Sequence, residues 1–205
     1  MPDERRHRSR LEACRLEPVT AYLGLGSNLG QRDRNLAEAI SGLRGDWVQT
    51  GGNEKRARQG RGLSGVELLR ASSMYETDPW GYACQPSFLN CALEIRTTLS
   101  PSQLLESVKR LEDAMGRLPG FRNGPRLIDV DVLLYGNSTV DVPGLQIPHP
   151  HLHQRAFALV PLAELAQGVV HPVLRTTIAN LAAQAGGREG VRLWGPPLSV
   201  LAQIV

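Results

Sequence analysis

Residues Phe88–Thr97 alternate: Leu89, Cys91, Leu93 and Ile95 point one way, and Phe88, Asn90, Glu94 and Arg96 point the other. Successive side chains of a strand face opposite sides of a sheet, so this segment predicts a strand with one core face and one face that is wet or a site. Other segments supply its neighbours. Val19–Leu25 reads as a buried strand ended by Gly26, and Leu36, Ile40 and Leu43 then recur at helical spacing. Val66–Tyr75 and Leu127–Tyr135 read as strands, the latter stopping at Gly136 and Asn137. Ser100 followed by Pro101 is an N-cap with proline at the first helical position, and the stripe Leu104, Val108, Leu111, Met115 with Gly116 behind it predicts a helix over 101–115. Thr177–Ala185 is expected to close the fold as a helix. Strands and helices mix without a regular βα repeat, so the expected class is α+β.

With 205 residues, 41% hydrophobic and 21% charged, the chain suits one ordinary domain. Residues 1–18 are polar and charged and are expected to be a disordered tail, leaving a single domain over 19–205. Gly51–Gly65 is rich in glycine and cations and is expected to be an inserted, solvated loop. No apolar run reaches the roughly 18 to 20 residues that span a bilayer, and Met1–Glu17 is not signal-like, so a soluble cytoplasmic protein with no membrane partner is expected. Cys14, Cys84 and Cys91 are odd in number and lack paired ligand spacing, which fits reduced thiols. The formal charge of +3 divides into +1 on residues 1–18, +3 on residues 51–62 through Lys55, Arg56, Arg58 and Arg61 against Glu54, and −1 elsewhere. A near-neutral body has no footprint for a phosphate backbone, so no nucleic-acid partner is expected.

In Arg126-Leu-Ile-Asp129-Val-Asp131-Val-Leu-Leu, period two puts both carboxylates on one face with Val130, Val132 and Leu134 beneath. The two lie about 7 Å apart along the strand. Two readings stand: a half-exposed antiparallel strand with polar residues turned to water, or a pair of hard oxygen ligands. Aspartate is poorly suited to strands and like charges repel, so the pair asks for a cation, and magnesium commonly takes one or two carboxylates plus substrate phosphates. Arg117, Arg122 and Arg126 fall within one connection next to that strand, where guanidinium groups suit a phosphate clamp. Two other motifs are weaker. Gly24-Leu-Gly26-Ser27-Asn28-Leu-Gly30 has one residue too many for a dinucleotide fingerprint and reads as a tight turn. In Pro148-His149-Pro-His151-Leu-His153 the prolines favour a loop over a zinc-binding strand.

Four landmarks occur in order: Leu25-Gly26-Ser27-Asn28-Leu29; Tyr75-Glu-Thr77-Asp-Pro79 with Gln85-Pro-Ser-Phe88-Leu-Asn90; Gly124-Pro-Arg126-Leu-Ile-Asp129-Val-Asp131; and Ile147-Pro148-His149 with Arg155 and Phe157. In these the chain resembles the 6-hydroxymethyl-7,8-dihydropterin pyrophosphokinases of folate biosynthesis, from about Ala21 to Ala166. The resemblance implies a ferredoxin-like antiparallel sheet with helices packed on it. It also implies transfer of diphosphate from ATP to the pterin hydroxymethyl group, releasing AMP. It implies that Asp129 and Asp131 hold two magnesium ions and that Arg117 and Arg126 neutralise charge at the transferred group. Glu112, Arg122, His149 and Arg155 would meet ATP, while Phe88 and Phe157 would sandwich the pterin and Asn90 with the backbone of Thr77–Trp80 would read its amide edge.

The chain departs from that pattern where a tryptophan is usual and Asn123 stands, where Leu118, Pro119 and Gly120 replace basic residues, and at Pro150. The expected lid therefore carries fewer cations and less aromatic cover. A monomer acting on small molecules is expected. A metal-dependent phosphohydrolase would use the same aspartates without a pterin, and a pterin-binding module without turnover is disfavoured by the intact Asp pair and Arg126.

Overall fold

The structure is a computed structural model that describes residues 17–44, 63–118, 120–121 and 123–198. The tail and most of the 51–65 loop lie outside those residues. A 9-residue strand, β1 (Val19–Ser27), leads to helix α1 (Arg32–Arg44). Then follow β2 (Val66–Ala71), β3 (Met74–Thr77), β4 (Phe88–Thr97), helix α2 (Pro101–Ala114) and β5 (Asp129–Tyr135). A small hairpin of β6 (Val140–Val142) and β7 (Leu145–Ile147) precedes helices α3 (Ala156–Ala166) and α4 (Ile178–Gln184) and a last strand, β8 (Val191–Gly195). The main sheet runs β5-β1-β4-β3-β8, with β2 also paired to β4, and every pairing is antiparallel. The α+β class and the antiparallel sheet with packed helices are as expected.

Alternation along the strands builds two cores, one on each side of the sheet. Leu23, Leu25, Leu93, Ile95, Val130 and Val132 pack with Leu36 and Leu43 of α1 and Leu104 and Leu111 of α2. Tyr22, Ala92, Leu133 and Leu134 pack with Leu159 and Leu162 of α3 and Ile178 and Leu181 of α4. The second face of β4 is thus covered by helices at Ala92, which is fully buried, while Phe88 and Asn90 border a cavity and Arg96 is exposed. Leu134 also lies opposite to its expected side. The β1–β5 register shifts between Tyr22 and Leu23, which leaves Leu133 without a partner in the ladder and turns Leu134 to the other face.

Local chemistry explains the element ends. Ser100 Oγ accepts from the Gln103 N–H while Gln103 Oε1 accepts from the Ser100 N–H, closing a capping box, and Gly116 at φ 87° ends α2 in the left-handed region. The single strand expected over 66–75 is split because the Ser72 hydroxyl accepts the Ala92 N–H at 2.8 Å, a place that a main-chain carbonyl would hold in a continuous ladder. Gly26 does not end β1. It stays within the strand, where a side chain would collide with Asn90 Oδ1, 2.5 Å from the Cβ position.

Among the described residues no helix is long and apolar enough to cross a membrane. His171 is buried next to α4, and its Nδ1 accepts from the N–H groups of Val173 and Leu174. Burial first, and then His153, lowers its pKa below the ordinary 6.5. The unfolded chain then takes up a proton before the fold does, so stability is complete above about pH 6.5 and falls as the pH drops toward the lower folded value. The loss of unfolding free energy between about pH 7.5 and about pH 5.5 is expected to shrink in His171→Gln, measured by urea titration. An unchanged difference would assign it to other groups.

Candidate active site

The site stands where β1, β4 and β5 end together. Asp129 opens β5 and Asp131 follows on the same face, both beside the Gly24–Gly26 stretch of β1. The approach to β5 is strapped to β1 by Asn28, which is 3% exposed. Asn28 Oδ1 accepts the Arg126 N–H at 2.7 Å, and its own N–H donates to the Arg126 carbonyl. Its Nδ2 reaches the other way, to Gln85 Oε1 at 3.0 Å and the Pro86 carbonyl at 3.1 Å. One buried amide thus joins the two loops that flank the site.

The cation that the aspartate pair asks for is supplied by arginine in this structure. Asp129 is held by Arg117 at Oδ1 and Arg126 at Oδ2, both at 2.7 Å. Asp131 Oδ2 meets Arg155 Nη1 at 3.0 Å. Behind them Glu112, 2% exposed, accepts the Val130 N–H at 2.6 Å and pairs with Lys109 at 2.9 Å and Arg117 at 2.5 Å. Burial, and next the charge of Asp129, push the Asp131 carboxyl up, and Arg155 offsets this only in part. Burial, with Arg155 and His151 adding to it, pushes His149 down to about 4, so its imidazole is neutral near pH 7. The 3.8 Å approach of His149 to Asp131 is therefore not an ion pair. A neutral imidazole has one acceptor nitrogen, so only one of its contacts, His151 N–H at Nδ1 or Arg155 at Nε2, is a hydrogen bond.

Two depressions meet at Asp131. The first, about 650 Å³, is walled by Phe88, Asn90, Trp80 and Phe157, with Arg126, Asp129 and Arg155 at one end. Asn90 Nδ2 donates to Thr77 Oγ1 at 2.7 Å, and the amide lies over the bare Gly26 backbone. The second, about 840 Å³, lies past Asp131 among Leu105, Lys109, Val132, Leu145 and His149. Among the described residues no group of three or more His, Cys, Asp or Glu is arranged to hold a metal ion. Two carboxylates beside an open cavity still fit magnesium, which draws the rest of its shell from water and substrate oxygens.

The family described as 7,8-dihydro-6-hydroxymethylpterin-pyrophosphokinase matches residues 22–167. The chain belongs to this family. It is 37% identical over 174 residues to the 2-amino-4-hydroxy-6-hydroxymethyldihydropteridine pyrophosphokinase of Bacillus subtilis, covering 85% of this chain and 89% of that protein. It is 37% identical over 156 residues to a folic acid synthesis protein of Dictyostelium discoideum, covering 76% of this chain but 21% of that one. In structure it resembles the HPPK–DHPS protein of Plasmodium falciparum, with a TM-score of 0.62 at 14% identity, over 84% of this chain and 45% of that one. At that identity the likeness speaks for the fold alone, and this chain spans less than half the length of that protein.

Of the residues expected to serve the pyrophosphokinase site, Thr77, Trp80, Phe88, Asn90, Arg126, Asp129, Asp131, Arg155 and Phe157 line the first cavity. His149 lines the second, and Arg117 stands behind Asp129. Arg122 lies outside the described residues. Glu112 lines neither cavity, because its carboxylate is turned inward to the Val130 N–H and Arg117. Asn123, which stands where a tryptophan is usual, has its own local reasons. Asn123 sits at φ 59°, which suits asparagine far better than tryptophan, and fits under Gly81, while its carbonyl accepts from Gln85 Nε2 at 2.8 Å. Close by, Phe121 packs edge-on against Tyr82 at 5.1 Å. The sequence reading assigned no role to Asn28, Lys109 or Gln85; Asn28 and Gln85 stand within the family landmarks, and that position was their only signal.

Proposed function

We infer that this chain transfers diphosphate from ATP to 6-hydroxymethyl-7,8-dihydropterin in folate biosynthesis, giving AMP and the pterin diphosphate. Membership of the pyrophosphokinase family supports the activity. The observation that carries the arrangement is that Asp131 lines both depressions, one walled by Trp80, Phe88 and Phe157 and the other beside Lys109. In this reading the pterin lies between Phe88 and Phe157, with Asn90 at its amide edge, and the nucleotide lies in the second depression near Lys109 and His149. The two substrates then meet over the aspartates.

The pterin hydroxymethyl oxygen attacks the β-phosphorus, an O–P bond forms, the bond from that phosphorus to the α-phosphate oxygen breaks, and the hydroxyl proton is released. Arg117, Arg126 and Arg155 neutralise the charge gathering on the transferred oxygens, and the pocket walls hold the hydroxyl in line. Two magnesium ions held by Asp129 and Asp131 would supply further neutralisation of the triphosphate when bound. Glu112 orients Arg117 and the β5 backbone. Residues 19–205 act as one domain in this reading. We further place the protein in the cytoplasm as a monomer without a nucleic-acid partner, on its charge distribution and cysteine usage. Incubation with ATP, magnesium and the hydroxymethyl pterin is expected to yield AMP and pterin diphosphate in equal amounts by chromatography. ADP as the main nucleotide would reject the assignment, as would phosphate release that needs no pterin.

A further inference from the structure

Arg155 is held in an unusual way. Its guanidinium carbon lies 5.0 Å from the centre of the Trp80 ring and 5.5 Å from that of Phe157, both within cation–π range. One edge is tied, with Nη1 against Asp131 Oδ2 at 3.0 Å and His149 Nε2 at 3.1 Å. The other edge is not: Nε is buried and has no hydrogen-bond partner among the described residues. Hydrogen bonds therefore grip the group at one corner and leave its plane free to turn. The two rings are what fix the plane. Trp80 is in turn steadied by His151, whose ring centre lies 5.9 Å away. The same two rings also line a further depression, alongside Gly187 and Val191, so Trp80 and Phe157 are shared by it and the main cavity while Arg155 lines the main cavity.

We propose that the Trp80 indole is a positioning residue that orients Arg155 toward the transferred phosphate, a role beyond that of the Thr77–Trp80 backbone. The proposal rests on the pyrophosphokinase reading of the site. Leucine fills part of the same space but has no ring face for a cation, whereas phenylalanine keeps one. Trp80→Leu is expected to lower kcat about tenfold with little change in the KM for ATP, and Trp80→Phe to restore it to within about threefold. In an Arg155→Ala background the same Trp80→Leu change is expected to matter by less than about twofold, because the residue it acts through is gone. Equal effects in the two backgrounds, or no difference between leucine and phenylalanine, would overturn the proposal.

A second readout needs no turnover. With Trp47 and Trp194 replaced by phenylalanine, Trp80 is the last of the 3 tryptophans, and Arg155→Ala is expected to change its emission in the substrate-free protein. An unchanged spectrum would show that the two groups do not stack and would overturn the proposal. A changed spectrum in a protein that makes no AMP would leave the stack standing and reject the activity instead.

Discussion

Asp131→Asn is expected to cut turnover about a thousandfold while leaving the metal-free protein as stable as before or slightly more so. Asp129→Asn is expected to cut turnover as deeply but to weaken the fold by an amount on the order of 2 kcal/mol, a fall of roughly 5 °C in Tm. The aspartates are two positions apart on one face, yet their surroundings differ. Asp129 lies between two guanidinium groups at 2.7 Å, so asparagine can accept from one of them but turns an NH2 toward the other, and among the described residues Arg117 then keeps Glu112 as its carboxylate while Arg126 keeps none. Asp131 has one arginine partner among the described residues, and burial and Asp129 disfavour its charge. Its folded pKa is raised above the unfolded value, so near neutral pH its ionised form works against folding, and asparagine removes that penalty while keeping an acceptor for Arg155. Repulsion between the two carboxylates, read from sequence, would have both substitutions relieve strain. The arginines reverse the sign at Asp129. Thermal unfolding in chelator together with single-turnover assays checks both halves, and a Tm loss at Asp131 equal to that at Asp129 would contradict this account.

Arg126→Lys is expected to lower kcat about a hundredfold, and Arg126→Ala by more, with secondary structure intact. The loop should survive because Asn28 grips the main-chain N–H and carbonyl of residue 126, which lysine and alanine both retain. What is lost is the guanidinium at the end of the cavity. A lysine ammonium has no planar fork and cannot face Asp129 and a phosphate oxygen with the same geometry. If lysine restored activity to within about threefold, position 126 would need charge alone and the oriented clamp would be wrong.

The elements that sequence reading found are those with a one-sided pattern or a local cap. Helix α2 has both, and β4 has clean alternation on the side that meets α1 and α2. Helix α3 has neither: its run Ala156-Phe-Ala-Leu-Val-Pro-Leu-Ala is apolar on nearly every side, which removes the period, and Pro161 reads as a breaker. Strand β8 escaped for the opposite reason, with Arg192, Leu193 and Trp194 all exposed and no buried face to alternate with. At the site, the Asp129–Asp131 pair was legible because two like charges in an apolar strand need an explanation. Arg117 and Arg126 were legible too, as cations in the connection next to that strand, whereas the pairing of Arg155 with Asp131 was not, since Arg155 comes from 24 residues beyond Asp131 and its direction depends on a helix that carries no pattern. Glu112 did carry a sign of inward orientation, standing one turn after Val108 beside the apolar stripe, although its charge argues for the surface.

Strand β3, which delivers Thr77 to the cavity, lies between β4 and β8. Arg192 of β8 also binds Asp78 at 2.9 Å across a separation of 114 residues. On the ribosome this means that the Asp pair and the aromatic walls can emerge and begin to pack while one border of the substrate cavity still has no partner strand. Synthesis must run to the end of β8 before that border closes, so the cavity wall at Thr77 is the last to be completed, and a nascent chain stalled after α3 presents β3 as an open edge to any other strand nearby.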